Sequence, residues 1–148
     1  MSASRLPDYL DHMRQAIADA QSFVDGMAQA DFMQDKRTQQ AVVMSLIVLG
    51  EAATKVMDQH AAFAAEHSQI PWRNMRGMRN RIAHGYFDIN LEVVWDTVQT
   101  ALPALKSQLD ALPSSGASLY EVKRPGCIAC GQRAGSQSNP LLDSLSLA

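Results

Sequence analysis

From about Asp35 the chain enters an apolar stretch that only a central helix could carry. Ala41, Val42, Leu46, Leu49, Ala52, Ala53 and Val56 recur at helical spacing, and Val43, Met44, Ile47 and Val48 widen the stripe almost all round. Such a helix is buried on most sides, so the rest of the chain must wrap it. Gly50 lowers helix propensity in its middle, which implies close approach by another helix. Glu51 follows directly. A carboxylate in apolar surroundings needs a partner. Two readings stand: a pair with an arginine of the 73–81 segment, or a carboxylate turned to solvent.

The flanking segments are helical too. Ser4 or Pro7 opens a first helix whose stripe is Leu6, Tyr9, Leu10, Met13, Ile17, Ala20, Val24 and Met27, with its end expected near Ala30. Asp31 to Arg37 reads as a polar joint or the first turn of the apolar helix. Asp58 to Gln69 reads as a short helix and a loop. Pro71 starts the next helix, with Trp72, Met75, Met78 and Ile82 on its apolar side and Gly85 as terminator. Asn90 caps a last helix striped by Leu91, Val94, Trp95, Val98, Leu102, Leu105 and Leu109, which Pro103 should kink or split. No strand pattern occurs, and aromatics are few while Ala, Leu and Met are plentiful. The expected fold is all-α: an up-and-down bundle of four to five helices over residues 5–112. Residues 113–148, rich in Ser, Gly and Pro, read as a flexible tail. Cys127 and Cys130 lie there, but zinc wants four ligands, so they are either accidental or half of a site shared across a dimer.

Charge narrows the function. Residues 1–112 carry ten Lys and Arg against thirteen Asp and Glu, so no global basic field advertises nucleic acid. Arg73, Arg76, Arg79 and Arg81 are the exception, a run without one acidic residue. A local patch suffices to hold a phosphate, although a solvated arginine-rich face has the same composition. The first residues lack an apolar signal core, and no apolar run looks long enough to span a bilayer, so a cytoplasmic chain is expected, with no membrane partner. With both cysteines in the tail, no disulfide framework is expected.

Within the arginine run stands Arg79-Asn80-Arg81-Ile82-Ala83-His84-Gly85-Tyr86. Arginine presents a planar fork of donors to phosphate oxygens, and an imidazole moves protons near neutral pH. The plain alternatives are a histidine capping its helix and a tyrosine packed at a helix end. Arg79 and His84 lie about 140° apart on an ideal helix, whereas Arg81 and His84 share a face. No carboxylate cluster of the two-metal kind is evident, so no metal or other cofactor is expected.

The spacing Arg79, four residues, His84, one residue, Tyr86 resembles the Arg-x4-His-x-Tyr motif of the HEPN superfamily. Ile70-Pro71-Trp72, Met75-Arg76, Ala83-His84-Gly85-Tyr86 and Gly50-Glu51-Ala52-Ala53 make the chain resemble, more narrowly, the HepT-like toxins over residues 5–112. The resemblance implies a metal-independent endoribonuclease, the toxin of a type VII-like toxin–antitoxin system, with tRNA among its candidate substrates. Arg79, Asn80 and His84 would be catalytic, and Arg76 and Arg81 would bind substrate phosphate. It further implies a homodimer that joins two motifs at a cleft, and an MNT-type nucleotidyltransferase antitoxin that attaches AMP to Tyr86. The other reading is a non-catalytic helical interaction or nucleotide-binding module.

Overall fold

The computed structural model of the chain describes residues 4–113. The tail from residue 114 onward, with the expected flexibility and the Cys127/Cys130 pair, lies outside the described residues. Helices α1 (Leu6–Phe23), α2 (Gln29–Gln34), α3 (Lys36–Gln59), α4 (Ala61–Glu66), α5 (Trp72–His84), α6 (Leu91–Asp96) and α7 (Leu102–Asp110) follow in order, with no strand among the described residues. A 3-10 turn at Tyr86–Asp88 precedes α6, and a π-helical segment at Thr97–Ala101 joins α6 to α7 in one rod. Four long rods therefore carry the fold, as expected.

Each rod runs against its neighbour. Tyr9 Oη at the start of α1 donates to Gln59 Oε1 at the end of α3, 3.0 Å away. Arg76 pairs with Asp58 while Arg79 pairs with Glu51, so α5 descends as α3 climbs. Arg14 on α1 donates from Nη2 to the Leu109 carbonyl at 2.9 Å, near the C-terminal end of α7, where a cation meets the negative pole of the helix. Met13, Ile17, Val42, Leu46, Leu49, Val56, Met75, Val98 and Leu109 fill the shared core. Removing any one large side chain from such a core costs about 2–5 kcal/mol.

Helix α3 is central, but its coverage is narrower than the sequence pattern implies. Met44 is 60% exposed and Val48 41%, so one apolar stripe faces outward. By length and composition α3 also meets the requirement for crossing a bilayer, with an 18-residue window of mean hydropathy 1.4, which corrects the expectation that no run is long enough. Half of that window is packed inside the bundle, and packing against α1 and α5 accounts for its apolarity.

The first helix stops at Phe23, short of the expected Ala30. Gly26 adopts φ 69°, a left-handed conformation that turns the chain before α2. Within α2, Phe32 is fully buried and its ring stands 5.4 Å from Trp95 on α6. Asp35 then caps α3: Oδ2 accepts from Thr38 Oγ1 at 2.6 Å and Oδ1 from Arg37 N at 3.1 Å. The Thr38 hydroxyl, followed by the Thr38 N–H, holds this carboxyl below its ordinary pKa. At the other end, Asn90 Oδ1 accepts from Glu92 N and Val93 N at 3.0 and 3.2 Å, as expected of a cap. Pro103 does not break the last rod. The rod widens into the π segment and resumes with Pro103 in a new first turn, where its missing N–H costs least.

Candidate active site

Helix α5 presents three different faces. Trp72, Met75, Met78 and Ile82 are buried, which clamps the helix to the core. Trp72 Nε1 also donates to the His67 carbonyl at 3.0 Å, fixing its N-terminal end. At the edge facing α3, Arg76 and Arg79 meet acids. The outer face carries Arg73, Asn80 and His84.

Gly50 permits the closest contact between α3 and α5. A Cβ there would clash with Arg79 Cβ and stand 2.7 Å from the Met75 carbonyl oxygen, so only glycine fits. With the helices this close, Arg79 Nη2 reaches Glu51 Oε2 at 2.5 Å. Arg79 Nη1 donates to Asn80 Oδ1 at 2.7 Å. The guanidinium is thereby oriented by two partners while further N–H groups stay unused. The arginine pairing anticipated for Glu51 is present, but the carboxylate is 41% exposed at its side chain and not buried. Its second oxygen lies 3.9 Å from Lys55 Nζ. Glu51 is the residue that the motif itself does not mark; its signal in the sequence is a charge lodged after a glycine in an apolar helix.

Arg76 is held by Asp58 and reaches the Thr54 carbonyl at 3.4 Å, while its Nε is buried without a partner. Its head group is thus turned toward the far end of α3. Arg81 is half-buried at the rim of a cavity of about 100 Å³ whose wall includes Leu46, Ile82, Val94 and Asp88. Neither a hydrogen bond nor an ion pair engages Arg81 or Arg73 among the described residues.

His84 ends α5 and is exposed. Its ring bonds none of the last carbonyls, so a capping role has no hydrogen bond behind it; Gly85 N closes the turn on Arg81 O at 2.8 Å instead. No hydrogen bond joins His84 to Arg79: Glu51 draws the arginine toward α3 while His84 points outward, as the 140° separation implies. Tyr86, 47% exposed, meets Phe87 edge-on at 6.2 Å, and Phe87 is 99% exposed.

Residues 13–112, more than half of the chain, match the HepT-like family, described as Ribonuclease HepT-like. A Thermococcus cleftensis protein named "Probable ribonuclease HepT" is 36% identical over 105 residues, covering 71% of this chain and 93% of that one. A "Putative RNase" of Methanocaldococcus jannaschii is 37% identical over 98 residues, covering 66% and 75%. Another, of Caldanaerobacter subterraneus subsp. tengcongensis, is 33% identical over 101 residues, covering 68% and 88%. No solved structure gives a significant match. The matched stretch runs from inside α1 to the end of the last rod and takes in Gly50, Glu51 and the whole of α5, so the chain belongs to the HepT-like ribonucleases of the HEPN superfamily.

Proposed function

We propose that the chain cleaves RNA internally and without a metal ion, by attack of a ribose 2′-hydroxyl on the adjacent phosphorus. The O2′–P bond forms as the P–O5′ bond breaks, leaving a 2′,3′-cyclic phosphate and a 5′-hydroxyl. The 2′ oxygen must lose a proton and the 5′ oxygen must gain one. His84 serves as the general acid or base for this exchange. Arg79 holds the phosphate and stabilises its developing charge, and Asn80 orients the phosphate or the arginine. Arg81 flanks the site as a phosphate-binding group, and Arg76 joins it by exchanging Asp58 for phosphate. The 2′-hydroxyl requirement makes RNA the substrate and excludes DNA.

The observation that carries this reading is the pairing of Arg79 with Glu51 and Asn80 on the same helix as a histidine that is exposed and, among the described residues, unbonded. A guanidinium oriented in advance loses little freedom when it meets phosphate. A histidine without a structural hydrogen bond is available to substrate.

Since Arg79 and His84 diverge within one copy, a homodimer that sets His84 near its twofold axis completes the site. The exposed apolar side chains Met44, Val48 and Phe87 support such an assembly. In this reading the chain is the toxin of a type VII-like toxin–antitoxin pair in the cytoplasm, with tRNA a candidate target. Its MNT-type nucleotidyltransferase partner silences it by placing AMP on Tyr86, whose ring is half-exposed and whose hydroxyl is unbonded among the described residues. The added phosphate and adenine would block the cleft by charge and bulk. Phe87 also favours a second reading, a helical module that docks a partner or nucleotide without turnover. Incubating purified full-length protein with RNA and analysing product ends separates them: cyclic phosphate ends support the nuclease, and intact RNA supports the docking module.

A further inference from the structure

We infer that the outer face of α5 is a track for the RNA strand beyond the cleaved phosphate, with Arg73 as a distal phosphate contact and Gly77 as the point where the strand passes closest to the helix. This rests on the nuclease reading and extends its site toward the start of the helix. At about 100° per residue, Arg73, Gly77, Asn80, Arg81 and His84 fall within an arc of roughly 100°, on the side away from Met75, Met78 and Ile82.

Three observations converge on that strip. The first is charge. Of the four arginines, Arg76 and Arg79 are answered by Asp58 and Glu51 on α3, whereas Arg73 and Arg81 have no acidic partner among the described residues. The unanswered cations are the two on the outer strip, and α5 holds no acidic residue. The second is Gly77. It is exposed in mid-helix, and a Cβ there would meet nothing within 4 Å. Unlike Gly50, it has no neighbour among the described residues to explain it, yet glycine in a helix interior costs about 1 kcal/mol against alanine. A bare patch of helix between Arg73 and His84 suits a ligand backbone that must lie close. The third is length: from Arg73 to His84 the helix rises roughly 16 Å, the span of a few nucleotides.

A second copy of the chain is the competing occupant. Packed directly on each other along their length, two such strips would oppose arginine to arginine, which is unfavourable; a dimer with His84 near its twofold axis brings only the His84 ends together, as the two sides of a cleft open to RNA. The apolar stripe of Met44 and Val48 suits a copy better, and a polyanion suits the α5 strip.

The test is binding of the full chain to a fluorescent 2′-O-methyl oligoribonucleotide, which keeps its phosphates but offers no 2′-hydroxyl for attack. Arg73→Ala should weaken binding roughly three- to tenfold and flatten the salt dependence by about 0.7 per protomer, the value of one lost phosphate contact on a single strand. Gly77→Gln should raise Tm by a few degrees through better helix propensity, yet weaken binding with the salt dependence unchanged. Neither variant should alter mass by light scattering. On cleavable substrates, Arg73→Ala should raise KM for long RNA and leave a dinucleotide, too short to reach it, unaffected. Wild-type affinity in either variant, or a changed assembly state in place of a changed affinity, would overturn the track. If wild type binds RNA through Arg73 but does not cut it, only the nuclease reading falls; if it cuts RNA while Arg73→Ala binds normally, only the track falls.

Discussion

Gly50 and Arg79 pack so tightly that a methyl group on the glycine would collide with the Cβ of the arginine. This contact sets the separation of α3 and α5 at the site, and with it the reach of Arg79 to Glu51. Two substitutions distinguish spacing from charge. Gly50→Ala must push the helices apart, so it should cost about 1–3 kcal/mol of stability and reduce cleavage as Arg79 is displaced. Glu51→Gln keeps shape and should cost about 1 kcal/mol or less, since the pair is partly exposed. It should still slow cleavage roughly tenfold or more through a loosened guanidinium. Chemical denaturation and RNA cleavage on both variants check this; equal activity in Glu51→Gln and wild type would show that the pair is only structural.

The apolar stripe on α3 predicts where two copies meet. Met44→Glu and Val48→Lys replace exposed side chains, so each should leave helical content and Tm near wild type. In the protein, each should shift light scattering from dimer to monomer and lower cleavage with it. A wild type that is monomeric across working concentrations would remove the composite site.

Tyr86 should be the acceptor of AMP. With a partner nucleotidyltransferase and ATP, mass spectrometry should find adenylate on Tyr86, and Tyr86→Phe should escape both modification and inhibition. Full neutralisation of Tyr86→Phe by the same partner would show that binding alone silences the chain.

Asp35 should make stability depend on acid. Its folded pKa is lowered, chiefly by the Thr38 hydroxyl, so the folded state favours the ionised form. The stabilisation is therefore present above the unfolded pKa and lost as pH falls through the folded one. The Tm gap between wild type and Asp35→Ala should be widest near neutral pH and narrow in strong acid. A gap independent of pH would contradict the linkage.

Much of the bundle was legible because helical periodicity reports burial directly. Trp72, Met75, Met78 and Ile82 are the buried side of α5 as their spacing implies, and Gly50 does mark a close helix approach. The arginine partner of Glu51 was legible for a related reason, since an apolar helix seldom carries an unanswered charge. What escaped is set by local geometry. The end of α1 depends on the left-handed turn at Gly26, and the stripe continuing through Val24 and Met27 hides it. The exposure of Met44 and Val48 was hidden because an apolar pattern looks the same whether this chain or another covers it. At the candidate site, the motif singles out Arg79, Asn80, His84 and Tyr86, but spacing alone cannot say that Arg76 turns to Asp58 while Arg79 turns to Glu51.

The most direct test is the cleavage rate of His84→Ala measured beside its stability. His84 is exposed at a helix end and makes no hydrogen bond among the described residues, so its loss should cost about 1 kcal/mol or less. Losing the proton-transfer group should slow cleavage by about 10²–10⁴-fold. Wild-type cleavage should persist in EDTA and stop when the cleaved ribose lacks its 2′-hydroxyl. A purified His84→Ala protein that melts like wild type and barely cuts RNA is the predicted result; one that folds normally and cuts at the wild-type rate would contradict the account.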